Sequence, residues 1–209
     1  MTEPSQQPPT LGDAIGGPLG MAETALPAVA FVTAYTVSHQ NTNLAAAVAV
    51  GLALLLALMR LVRRDTPRHA LSGLIGVVFA AFVATRTGSA RNFFLPGLFA
   101  NAAYAAAFLI SIAVRWPLVG VVVSQLDGEG TAWREDPART RVFTRASWLW
   151  VVLFSLRLVV QYPLYLANAL VALGVARTAM GVPLFALGIW LTYLLVRRAR
   201  SGGVRPEPG

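Results

Sequence analysis

The chain contains no cysteine. It can therefore form no disulfide, hold no zinc–thiolate centre and use no thiolate nucleophile. Its two histidines, His39 and His69, are too few and too far apart in sequence for a metal site. Charge is scarce as well: 12% of the 209 residues are charged, against about a quarter in soluble domains. Lysine is absent and all seventeen basic residues are arginine, a bias that GC-rich codon usage produces. No nucleophile–base set, Gly-rich phosphate loop or metal-spaced carboxylate pair occurs. Asp127-Gly-Glu-Gly-Thr131 has its glycines at the wrong positions for a calcium loop and lacks the distant bidentate glutamate. The expectation is a non-enzymatic chain with no catalytic, cofactor-binding or metal-binding residues.

What the chain does have is apolar surface. Hydrophobic residues make up 56% of it, more than a single core of this size can hide. That composition predicts an integral membrane protein. The formal net charge of +8 does not point to nucleic acid, because the arginines cluster beside apolar runs instead of forming a basic face.

The fold class expected is all-α: a polytopic membrane bundle of about six helices. The spans fall near residues 22–38, 44–62, 70–85, 92–114, 146–172 and 179–196. Residues 1–21, rich in Pro, Gln, Gly and Thr, read as a disordered tail. They have no basic region leading into a short apolar core, so no secretory signal peptide is expected there. Residues 199–209 form a second tail. Residues 116–126 are apolar but too short to cross, so they are interfacial or re-entrant. Asp127–Arg145 is the one extended hydrophilic loop. Trp148 and Trp150 suit the membrane–water boundary, and Pro163 is expected to bend or interrupt the fifth span. Ser72 and Gly76, four apart, form a small-residue pair of the kind that lets helices approach closely.

Six spans put both termini on one side. Thirteen arginines fall on that side, in the 60–68, 115–145 and 197–205 regions; only Arg86, Arg91 and Arg177 fall on the other. The positive-inside rule then makes the termini cytoplasmic and the location the inner membrane.

Within the spans, Arg157 stands out. Counted from Ala146 at about 1.5 Å per residue it lies some 17 Å into the bilayer, where an unpaired charge costs about 2.5–3.5 kcal/mol. It should face the bundle interior and have a partner. Gln161 and Asn168 follow on the same helical face, giving either a polar pathway or a buried structural pin. Glu23 is the only acidic residue near any span; Asn101, Tyr104 or free backbone carbonyls are the alternative partners for Arg157. Asn101, Tyr104 and Ser111 share a face of the fourth span, where such residues more often join helices than bind ligands. Arg86, Arg91 and Asn92 form the outer mouth, either contacting lipid phosphate or attracting anions together with Gly88, Ser89 and the amides opening the fourth span. Pro96-Gly-Leu-Phe-Ala-Asn-Ala102 echoes Pro163-Leu-Tyr-Leu-Ala-Asn-Ala169, as two repeats of a transporter would.

The stretch Arg86–Tyr104, followed by Arg115-Trp-Pro-Leu-Val-Gly120, resembles an actinobacterial membrane family of unknown function, the domain-of-unknown-function family thirty-one fifty-nine. The resemblance covers roughly Thr24 to Arg198 and implies a bacterial inner-membrane architecture without an assigned activity. The layout is more distantly similar to the intracellular septation protein A family, although that family's acidic and lysine-bearing signature before the fourth span is missing here. Two functions are expected ahead of a third, a lipid-modifying enzyme. One is an envelope-associated scaffold, whose partners are the bilayer and further copies of the chain or other envelope proteins. The other is a small carrier or channel for anions built around Arg157.

Overall fold

The computed structural model describes residues 17–63, 67–128 and 130–201, with side chains described over 25–63, 71–128 and 130–197. Among the described residues the chain is helical, without a strand. It divides into two compact units, Met1–Phe93 and Phe94–Gly209.

Unit 1 contains α1 (Gly17–Val37), α2 (Thr42–Val62), α3 (Pro67–Thr87) and a 3-10 turn, Ala90–Phe93. Helix α2 starts because the Asn41 side chain accepts from the Leu44 amide at 3.1 Å, satisfying one of the free first-turn donors. Its buried face is a run of alanines: Ala45, Ala46, Ala49, Ala53 and Ala57. Helices α1 and α3 both pack on α2, and α3 buries Ala80, Ala81 and Ala84. Alanine keeps the backbones close at no rotamer cost. Phe31 of α1 stacks on Phe93 at 4.0 Å between centroids.

The pair Ser72 and Gly76 does not make the close approach expected of it. Both are exposed, and a Cβ added at Gly76 would meet nothing within 4 Å. Small residues four apart permit close packing but do not enforce it; the alanine faces supply it instead. Helix α1 begins at Gly17, inside the stretch expected to be a tail, while residues 1–16 and 202–209 lie outside the described residues.

Unit 2 contains α4 (Leu95–Ala113), α5 (Leu118–Asp127), a 3-10 turn (Ala132–Arg134), α6 (Pro137–Leu166), α7 (Leu170–Ala179) and α8 (Val182–Ser201). Helix α6, 30 residues long, packs against all the other helices of the unit. It starts earlier than the expected span because Asp136 caps it, accepting from Ala138 at 2.7 Å, with Pro137 in its first turn. Aromatic rings tie α6 to α4 and α8: Tyr104 to Phe154 at 5.2 Å, Phe108 to Trp150 at 6.0 Å, and Trp150 to Phe185 at 5.1 Å. The Trp150 indole also donates to the Thr192 hydroxyl at 3.1 Å.

The apolar stretch after α4 is the short helix α5. Its first amides are satisfied by serines of neighbouring helices: Leu118 donates to Ser111 at 3.2 Å and Val119 to the fully buried Ser147 at 3.3 Å. The hydrophilic loop beyond it is anchored by Trp133, which is 1% exposed and packs edge-on to Phe143 at 5.3 Å. A Cβ at Gly120 would stand 3.0 Å from both of these rings, so any larger residue would require them to give by a few tenths of an ångström.

Among the described residues, four segments are long and apolar enough to cross a membrane: Thr42–Val62, Leu95–Ala113, Pro137–Leu166 and Leu170–Arg197. Helices α1 and α3 are 21 residues each, about 31 Å long, and carry shorter apolar stretches at Ala25–Val37 and Leu71–Thr87. The outer faces of the helices carry exposed Leu55, Ile75, Phe82, Phe99, Val159 and Trp190. An apolar outside of this extent belongs in lipid.

Candidate functional site

The segment Leu170–Arg197 is one apolar run, yet it folds as two helices. The cause is local. Pro183 has no N–H to give the Ala179 carbonyl, and its ring crowds that carbonyl. Helix α7 therefore ends at Ala179, with Met180 donating to Ala176 at 2.9 Å and Gly181 to Thr178 at 3.2 Å. Helix α8 resumes at Val182, and the Gly181 carbonyl accepts the Phe185 amide at 3.2 Å.

Arg157 of α6 lies opposite this break. Its Nη2 donates to the same Gly181 carbonyl. The residue is half-buried and sits nine positions before the end of α6, about 13 Å along the helix. Its partner is thus a backbone carbonyl at a break in the next span, and the guanidinium holds that break against α6. Gln161, one turn on, is 3% exposed and takes no side-chain hydrogen bond among the described residues.

Arg177 completes the arrangement. It lies on α7, about 10 Å from that helix's start, and is half-buried. Its guanidinium stands 5.6 Å from the centre of the Phe94 ring and lies directly on Gly97 in the first turn of α4. A Cβ added at Gly97 would collide with the guanidinium, coming 3.0 Å from Cζ. Arg177 precedes by four residues, about one helical turn, the Gly181 whose carbonyl Arg157 holds. Helices α4, α6, α7 and α8 contain no Asp or Glu, so their own side chains cannot neutralise the pair.

The other residues singled out from sequence are dispersed. Asn168 does not share the face of Arg157 and Gln161. It follows the end of α6 with a left-handed φ of 55°, where Asn is tolerated, and it makes the turn into α7. Pro163 leaves α6 intact as far as Leu166. The echo between residues 96–102 and 163–169 has no structural counterpart: the first lies in the opening turns of α4, the second at the end of α6 and in the turn beyond. Asn101 is half-buried, Tyr104 is 55% exposed and packs on Phe154, and Ser111 caps α5. In unit 1, Arg86 lies over the Phe82 ring at 5.3 Å, Arg91 is half-buried, and Asn92 donates to the Thr87 hydroxyl at 2.8 Å. Glu23 lies outside the described side chains.

Sequence reasoning missed Arg177, placing it in an outer loop, and missed Gly97 and the break. The signal was present in Arg177-Thr-Ala-Met-Gly-Val-Pro183, a charge and a Gly–x–Pro pair inside an apolar run.

These features define a polytopic helical membrane protein with a broken span beside two arginines. Over residues 15–202 the chain matches the family model described as "Protein of unknown function (DUF3159)" and belongs to that family. No curated protein and no solved structure matches it.

Proposed function

We infer that this chain is a multi-pass inner-membrane protein with cytoplasmic termini that binds and carries a small anion through unit 2. One observation favours this over a scaffold: a span broken at the level of Arg157, with Arg177 one turn before the break and no carboxylate in the helices that carry them. Interrupted helices at this depth are where carriers place their binding sites, since irregular backbone inside a membrane is tolerated where it faces protein or a water-filled cavity. Two guanidinium groups supply the positive potential that draws an anion into a low-dielectric region. The scaffold role would require none of these residues at this position.

Anion flux into proteoliposomes, wild type against Arg157→Met with folding verified for both, tests the reading. The wild type should transport at least one of a panel of small anions, and the variant should lose at least 90% of that flux. Absence of flux across the panel would leave the scaffold. Reporter fusions at Gly130 and Gly209 should both signal cytoplasm; a periplasmic signal from either would overturn the orientation.

A further inference from the structure

Arg157 and Arg177 differ in what their guanidinium groups have left to give. Arg157 already donates to the Gly181 carbonyl. Arg177 stands 5.6 Å from the centre of the Phe94 ring with its Nη1 against the bare backbone of Gly97, and among the described residues no side-chain or backbone acceptor takes a hydrogen bond from it. The α4 first turn beneath it adds positive potential instead of relieving it. A membrane-embedded charge costs about 2.5–3.5 kcal/mol even on insertion scales, so the pair calls for a counter-charge that the helices carrying it do not supply.

We propose that Arg177, backed by Arg157, forms an anion-binding site whose ligand is a small monocarboxylate. This rests on the anion reading above and names its substrate class. The free edge of a guanidinium is a fork of parallel N–H donors, which matches the two oxygens of a carboxylate and is wasted on a spherical halide. Phosphate and sulfate also offer paired oxygens. They carry two charges near neutral pH or above, however, and the cost of dehydration grows with the square of the charge, about fourfold for a dianion in the same medium. With Arg157 engaged at Gly181, one free fork suits one carboxylate. Gly97 sets the fit, because any side chain there would displace the guanidinium from its present position.

The test is a thermal-melting titration of the full chain in nanodiscs with sodium acetate, sodium chloride and sodium phosphate at fixed pH and ionic strength. Ligand binding to the folded state raises the melting temperature in a saturable way. Acetate should raise it, with an apparent affinity at least tenfold above chloride or phosphate. Arg177→Gln should abolish the shift. Arg177→Lys, which keeps the charge but loses the fork, should weaken acetate at least tenfold, and so should Gly97→Ala, which keeps Arg177. If Arg177→Gln does not fold, the latter two decide. No saturable acetate shift in the wild type, an equal shift with phosphate, or full acetate affinity in Arg177→Lys and Gly97→Ala would overturn the proposal. Acetate binding without flux of any anion would remove the carrier reading and leave the site; chloride flux without acetate binding would do the reverse.

Discussion

Units 1 and 2 solve the same packing problem in opposite ways. Unit 1 joins unbroken helices through alanine, with Ala45, Ala49 and Ala84 fully buried and its described arginines, Arg60, Arg63, Arg86 and Arg91, at or beyond helix ends. Unit 2 joins its helices through large aromatic rings, breaks one span at Met180–Gly181, and holds Arg157 and Arg177 inside its apolar helices. Small residues give a close, regular interface with no polar group to satisfy. Rings and a broken backbone give a less regular interface, in which the Gly181 carbonyl accepts from both Phe185 and Arg157. Close alanine packing thus characterises unit 1, and ring packing around embedded arginines characterises unit 2.

The strongest way to break that division lies at the base of unit 2. Trp133→Ala removes a side chain that is 1% exposed and touches Phe143 and Gly120. It should destabilise the protein by about 3–5 kcal/mol, read from denaturant titration in detergent. A loss below about 1 kcal/mol would mean that the turn holding Trp133 is not part of the core.

Unit 1 offers a sharper internal contrast. Ala49→Leu should cost about 1–3 kcal/mol because α2 has no room at that position. Gly76→Leu should change stability by less than about 0.5 kcal/mol, since its Cβ would point into open space. Equal effects would mean that alanine burial does not define the interface.

A small gain in stability is expected at a turn in unit 2. Arg115 ends α4 with a φ of 55°, its amide donating to Ile112 at 3.0 Å and that of Trp116 to Ser111 at 2.8 Å. Arg115→Gly should stabilise by about 0.4–1 kcal/mol, because glycine adopts this conformation without the Cβ penalty. A loss would mean that the arginine side chain itself is needed there.

Much of the fold was legible because lipid imposes long apolar runs, and 21-residue segments such as Thr42–Val62 announce themselves. Arg157 was legible for the same reason, as a charge where none should be. Its partner was not, because Gly181 offers a backbone carbonyl and every residue has one. Arg177 reads from sequence as an outer-loop residue because a helix that breaks at a Gly–x–Pro looks like a loop followed by a helix. Ser72 and Gly76 misled for a related reason: composition marks which faces could pack closely, and only the neighbouring helix decides which one does.

The absence of cysteine from the chain makes the central claim directly accessible, since a single cysteine introduced anywhere is the only thiol. Met180→Cys places one at the break, about 15 Å from the start of α7, and Ala49→Cys places one in the alanine interface of unit 1. If the break beside Arg157 and Arg177 lines an anion path, a membrane-impermeant maleimide should label Met180→Cys in intact vesicles, acetate should slow that labelling, and Ala49→Cys should stay unreactive. Labelling of Met180→Cys no faster than that of Ala49→Cys would contradict the account and leave the two arginines as pins in a dry bundle.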